Sequence, residues 1–241
     1  MTNTLISDFF LAVLDPAKGK PVIDGQKFKV AMAGTAILEL VRREVLTLVP
    51  EGSPLGKPGR LVRTGGGADA GGGSNLPLDP ALQDVVDRSD GRKPKDAIAR
   101  IGGSQTWKDR VTALRDLAAA PLIAEGVLHR VDSEVMRVFP TVRFEVSNPL
   151  IRDQLIRRLA AILREEVPVN DHDASVLSVL HAADALPKVF PGEDKKLLKA
   201  RGKAISEGDW ASEGVRKAIQ EMNATMIAAI AAGGAVAAGS S

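Results

Sequence analysis

Apolar residues recur at helical spacing along most of the chain. Leu5, Ile6, Phe9, Phe10 and Val13 fall on one wide face and predict a helix over residues 5–14, with Pro16 just past its stop. Residues 18–25 read as a loop. Val30, Gly34, Ile37 and Val41 then line up in a second helix over residues 26–45. No charge occurs between Lys29 and Glu39, so this helix is expected to be buried on most sides. Gly34 in a helix interior costs roughly 1 kcal/mol against alanine. Close approach of a neighbouring helix is the expected compensation.

Residues 50–75 are rich in glycine and proline, and 64–75 read as a low-complexity, flexible loop. The flanks 60–63 and 76–78 are expected to pair as short strands. Short helices follow near 80–87 and 94–101. Next comes a helix whose buried face carries Trp107, Val111, Leu114 and Ala118. Lys108, Thr112 and Arg115 form a second, basic stripe at the same spacing. Beyond a turn at 125–128, a hairpin is predicted over 129–145, with Val135, Met136, Val138 and Phe139 near its tip and return strand.

Asn148-Pro149 suits the cap and first turn of a helix reaching 165. From Asp173, a run broken only by His181 and Asp184 reaches Leu186 and is expected to be the central core helix. Further helices are predicted over 193–206 and from 212 onward, where Val215, Ile219, Met222, Met226 and Ile230 make one stripe. The expected fold is mainly α. It is a single helical domain over residues 1–241, with a central hydrophobic helix ringed by amphipathic ones and a protruding β-hairpin. Residues 233–241 are expected to form a disordered tail.

Composition agrees. Of the 241 residues 44% are hydrophobic but only 3% aromatic, with no tyrosine, which favours packed helices over a β-sandwich. Cysteine is absent, excluding disulfides and thiolate metal sites. The first ten residues lack a basic stretch and are interrupted by Asp8, so no secretory signal is read. No run reaches the ~20 apolar residues of a membrane span. A cytoplasmic protein is expected, with any membrane contact peripheral. The net charge of +2 is too mild to demand nucleic acid.

Catalytic chemistry is not visible. His129, His172 and His181 are scattered, and no carboxylate–histidine spacing resembles a zinc motif. His181 reads as a histidine of a core helix, and Asp171-His172-Asp173 as helix-start capping. The glycine run 65–73 lacks the Lys-Ser/Thr ending of a phosphate loop. Glu39 has a structural role available with Arg42 or Arg43. No enzyme activity, metal or cofactor is expected.

Several segments together carry a resemblance: Ser7 to Leu14, Ala33 to Leu40, Leu78-Asp79-Pro80-Ala81-Leu82, Gly103-Ser104-Gln105-Thr106-Trp107, Glu125-Gly126-Val127-Leu128 and Leu177 to Leu186. In order and spacing they resemble the Golgi phosphoprotein 3 family of phosphoinositide-binding peripheral membrane proteins. The resemblance implies a helical bundle around a central hydrophobic helix, with a protruding hairpin. It also implies binding of phosphatidylinositol 4-phosphate, recognition of the cytoplasmic tails of membrane proteins, and a hairpin used for self-association and membrane contact. The family's eukaryotic site has a tryptophan that aligns with Ile23, an arginine that aligns with Ala33, and two cations that align with Thr112 and Arg115. Only Arg115 retains the family's residue type.

The expected function is therefore binding of anionic lipid headgroups without catalysis. Lys108 and Arg115, with Lys18, Lys20, Lys27 and Lys29, would supply an attraction of about 1 kcal/mol each, screened by salt. One alternative is a winged-helix nucleic-acid binder using residues 107–119 and Arg130, Arg137 and Arg143 of the hairpin. Asp109 and Asp116, interleaved with the helix cations, weigh against it, so no nucleic acid is expected. The other alternative is a protein-tail adaptor without lipid binding.

Overall fold

The computed structural model describes residues 4–64, 78–103, 110–135, 139–208 and 213–238, with side chains at 133–135, 139–141, 213–215 and 233–238 excluded. Helix α1 (Leu5–Val13) starts at Thr4, whose hydroxyl accepts from the Ser7 N–H, and all its residues are buried. Two minimal strands, β1 (Leu14–Asp15) and β2 (Lys20–Pro21), pair antiparallel around a tight turn. Helix α2 (Gly25–Arg42) is capped by Asp24, which accepts from the Lys27 N–H. Its end is enforced by Glu44 at φ +55, and Val45 N–H returns to the Leu40 carbonyl.

Strand β3 (Leu46–Leu48) pairs with β4 (Leu61–Arg63). The segment expected to pair with 60–63, residues 76–78, lies outside the described residues except for Leu78. The observed register sends both Leu46 and Leu61 into the core, where neither is exposed. Then come α3 (Pro80–Ser89), α4 (Pro94–Gly102), α5 (Arg110–Ala124) and the hairpin β5 (Leu128–Val135) and β6 (Phe139–Val146). The chain closes with α6 (Pro149–Leu163), α7 (Asp171–Ala182), the one-turn α8 (Leu186–Val189), α9 (Lys195–Glu207) and α10 (Glu213–Ala238). Proline occupies the first turn of α3, α4, α6 and α8, where its missing N–H costs nothing. The Gly-rich segment 65–77 lies outside the described residues.

Helix α2 is the hub: it packs against α1, α3, α4, α5, α7, α10 and β3. The run from Asp173 that sequence had placed at the centre is a second buried helix, α7, stopped earlier than expected by Asp184 at φ +54. Gly34 of α2 meets Met226 of α10, whose sulfur fills the space that a Cβ at Gly34 would need. The cost of a mid-helix glycine is thus offset by close helix packing. Ala218, Ile219, Met222 and Met226 are buried on α10, while Ile230 is half-buried. The helix continues to Ala238 through Gly233 and Gly234, where sequence had placed the start of a tail; its alanines are the strongest helix formers. Among the described residues, no helix is long and apolar enough to cross a membrane.

Candidate functional site

The site is built around Phe144 of β6. Its ring is buried and meets Phe10 of α1 edge-on, with centroids 5.3 Å apart and an interplanar angle of 85°. Phe10 in turn contacts Phe28 of α2 at 6.3 Å. The alternation of β6 turns Phe144 toward the helices and exposes its neighbour Arg143. The hairpin base is thereby fixed to the bundle by one aromatic side chain.

Arg115 of α5 lies over this ring, its guanidinium carbon 5.5 Å from the centroid. Its Nε and terminal N–H both donate to Asp116 Oδ1, at 3.2 and 3.0 Å. The side chain is only 20% exposed. Arg130 of β5 donates to Asp132 at 3.0 Å and reaches the other Asp116 oxygen at 3.4 Å. Arg115 therefore joins α5 to the hairpin and shares its charge with a carboxylate.

The turn between β1 and β2 reaches the same strand. The Phe144 N–H donates to the Gly19 carbonyl at 3.0 Å. Gly19 has φ +64, and a Cβ there would lie 3.0 Å from the Phe144 carbonyl oxygen, so both conformation and contact require glycine. Asp15 stabilises the turn by accepting from the Ala17 and Lys18 N–H groups at 2.9 and 3.2 Å. The Ala17 bond is the main reason its carboxyl is held below its ordinary value. Some desolvation opposes this, and the Lys18 backbone and charge assist. Lys18 and Lys20 point to solvent. Arg152 of α6 is partly buried, and that burial lowers its affinity for a proton against the fields of Asp153 and Asp15.

The sequence-derived residues divide into three sets. Arg115 and half-buried Thr112 share the α5 face near the hairpin base. Ile23 and Ala33 are 5% and 0% exposed, so neither side chain is available to a headgroup. Ala33 is enclosed because α4 crosses α2 at Gly102, where an added Cβ would come within 3.1 Å of Ala33 Cβ. Lys108, Met136 and Val138 lie outside the described residues. Val135 and Phe139 are backbone partners in the hairpin. Gly19, Phe144 and Arg152 are not singled out as site residues in the sequence reading, and Arg143 enters it only as a hairpin cation of the nucleic-acid alternative. Glycine in the Lys-Gly-Lys turn was the one local signal.

A second polar cluster joins α1, α2, α6 and α7. His172 Nε2 lies 2.8 Å from buried Asp8 and its Nδ1 3.0 Å from Arg42. Arg158 grips Asp173 with Nε and a terminal nitrogen at 2.9–3.1 Å. The α7 cap is Asn170 rather than the aspartates after it. Glu39 accepts from the Leu5 N–H at 2.7 Å and from Arg43 at 2.6 Å, linking α2 to the start of α1. These groups satisfy one another across helix junctions.

A comparison with individually curated proteins gives no significant match. The family model for Golgi phosphoprotein 3 (GPP34) matches residues 5–222, and on that match, over a helical bundle with a hairpin packed on its rim, the chain belongs to the Golgi phosphoprotein 3 family.

Proposed function

We propose that this protein is a non-enzymatic peripheral membrane protein that docks on anionic lipid headgroups through the rim around the hairpin base. Phosphatidylinositol 4-phosphate is the headgroup suggested by the family. The observation that carries this reading is the convergence on Phe144 of three cation-bearing segments: the Lys18–Lys20 turn, β6 with Arg143, and α5 with Arg115. Lys18, Lys20 and Arg143 are exposed there, as is Arg130, which Asp116 and Asp132 hold. The first three bear most of the attraction in this reading, because Arg115 is largely buried and paired with Asp116, whereas Lys18, 3.5 Å from Asp15, is still 78% exposed. The hairpin extends from the same base and supplies apolar insertion or self-association. Recognition of protein tails would use the same orientation at the membrane.

The nucleic-acid reading is disfavoured by Asp116. It holds both Arg115 and Arg130, two cations that a recognition helix and wing would direct at phosphates.

Vesicle co-sedimentation tests the proposal. Wild type should pellet with anionic vesicles in a salt-sensitive manner, and Lys18→Glu/Lys20→Glu should reduce partitioning by roughly tenfold or more. A gain from adding phosphatidylinositol 4-phosphate at constant total charge would report headgroup selectivity. Pelleting indifferent to salt and to both substitutions would remove this site.

A further inference from the structure

Helix α9 carries a concentration of charge that the site around Phe144 does not use. Lys195, Lys196, Lys199 and Lys203 are exposed and, among the described residues, take part in no ion pair. Nearby arginines behave otherwise: Arg164 pairs with Glu166 and Glu193, and Arg201 with Glu165. The acidic residues before the lysines are also occupied. Asp194 caps the helix by accepting from the Lys196 and Leu197 N–H groups, and Glu193 is held by Arg164.

The rotation of α9 is set by its buried residues Leu198, Gly202 and Ile205. Gly202 lies against His181 and Leu186, where a Cβ would come within 2.7 Å of His181 Nδ1, so no larger residue allows this packing. At about 100° per residue, the four lysines fall in a sector roughly 100° wide on one flank. That flank faces His181 at the end of α7, whose imidazole is made a weaker base first by burial and then by Lys199, against the opposing fields of Asp184 and of Glu207, one turn beyond Lys203, with Lys203 contributing least. Arg201 lies on the opposite flank, toward Glu165 at the end of α6. Past His181, Asp184 is 3.0 Å from Lys27 at the start of α2, the helix that follows the Lys18–Lys20 turn.

We propose that the lysine flank of α9 is a second contact with an anionic bilayer, so that the protein docks at two points rather than on the hairpin rim alone. The inference rests on the lipid-docking reading above and assigns it a further surface. Two features favour a bilayer as the occupant. The four lysines span about 12 Å of helix along one flank. Lysine is a compact point charge, suited to a diffuse anionic surface rather than to fork-shaped pairing with one carboxylate.

The test compares full-length variants on vesicles rich in phosphatidylserine and on neutral phosphatidylcholine vesicles. Lys199→Glu/Lys203→Glu should reduce partitioning to the anionic vesicles by roughly thirtyfold or more, with Lys199→Gln/Lys203→Gln intermediate. Lys57→Glu/Lys95→Glu makes the same change in net charge at exposed positions elsewhere and should change partitioning by less than about threefold. Unchanged melting curves establish that each variant is folded. If the α9 pair matches the Lys57/Lys95 control while Lys18→Glu/Lys20→Glu still loses binding, the second contact is overturned and the rim reading survives. If wild type pellets with neither vesicle type, both fall. Tighter wild-type binding to duplex DNA or an acidic peptide than to the anionic vesicles would also overturn it.

Discussion

The sulfur of Met226 on α10 occupies the space in which a side chain at Gly34 of α2 would have to sit. This contact joins the last long helix to the hub of the bundle. Gly34→Ala should gain about 1 kcal/mol of helix propensity and lose roughly 1–3 kcal/mol to overpacking, for a net destabilisation. Adding Met226→Ala should make the Gly34→Ala step neutral or stabilising. Urea midpoints of the four proteins in this cycle measure the coupling, and simple additivity would contradict the close approach.

Gly19 and Phe144 provide the corresponding test at the hairpin. Gly19→Ala places a Cβ against the Phe144 carbonyl in a left-handed backbone conformation, and a loss of roughly 1–3 kcal/mol is expected. Amide exchange at Phe144 should accelerate first, because its N–H depends on the Gly19 carbonyl. Phe144→Ala should cost about 3–5 kcal/mol by removing the ring between Phe10 and Arg115.

His181 produces a pH dependence of definite sign. Burial, then Lys199, lowers its folded-state proton affinity below the ordinary 6.5. Between those two values the unfolded chain binds the proton that the folded chain rejects. The stabilisation is therefore complete above about pH 6.5 and is lost as pH falls toward the folded value. Urea midpoints of wild type should decline on acidification below about 6.5. His181→Gln should remove that part of the slope while leaving contributions from other groups.

Installing the family's arginine at position 33 should not restore a headgroup site. Ala33 is fully buried where α4 crosses α2, and a guanidinium there would be both overpacked and unpaired. Ala33→Arg is expected to cost at least about 3 kcal/mol, visible as a lowered melting temperature or loss of soluble protein. A stable variant with increased phosphoinositide binding would show that the α2–α4 crossing opens more readily than its packing suggests.

Periodicity and capping chemistry were enough to outline the helices. The spacing of Leu5, Phe9 and Val13, the unbroken apolar stretch before Glu39, and Asn148-Pro149 each specify local structure through contacts only a few residues apart. A close neighbour at Gly34 was also legible, because a mid-helix glycine needs a packing reason. The identity of that neighbour was not. The same limit separated α2 from α7 as the hub and hid the pairing of β4 with β3.

Sequence by itself determined a helical chain with one hairpin, basic segments at the first turn and on α5, and no visible catalytic motif. Tertiary structure alone decided which cations are available. Arg115 is taken up by Asp116 and Phe144, Ala33 is sealed beneath α4, and the α9 lysines are left exposed. The physical reason is that charge and exposure at a residue depend on partners brought near by folding, and apart from neighbours such as Asp116 these lie tens of positions away along the chain, as Phe144 does from Arg115 and Gly102 from Ala33.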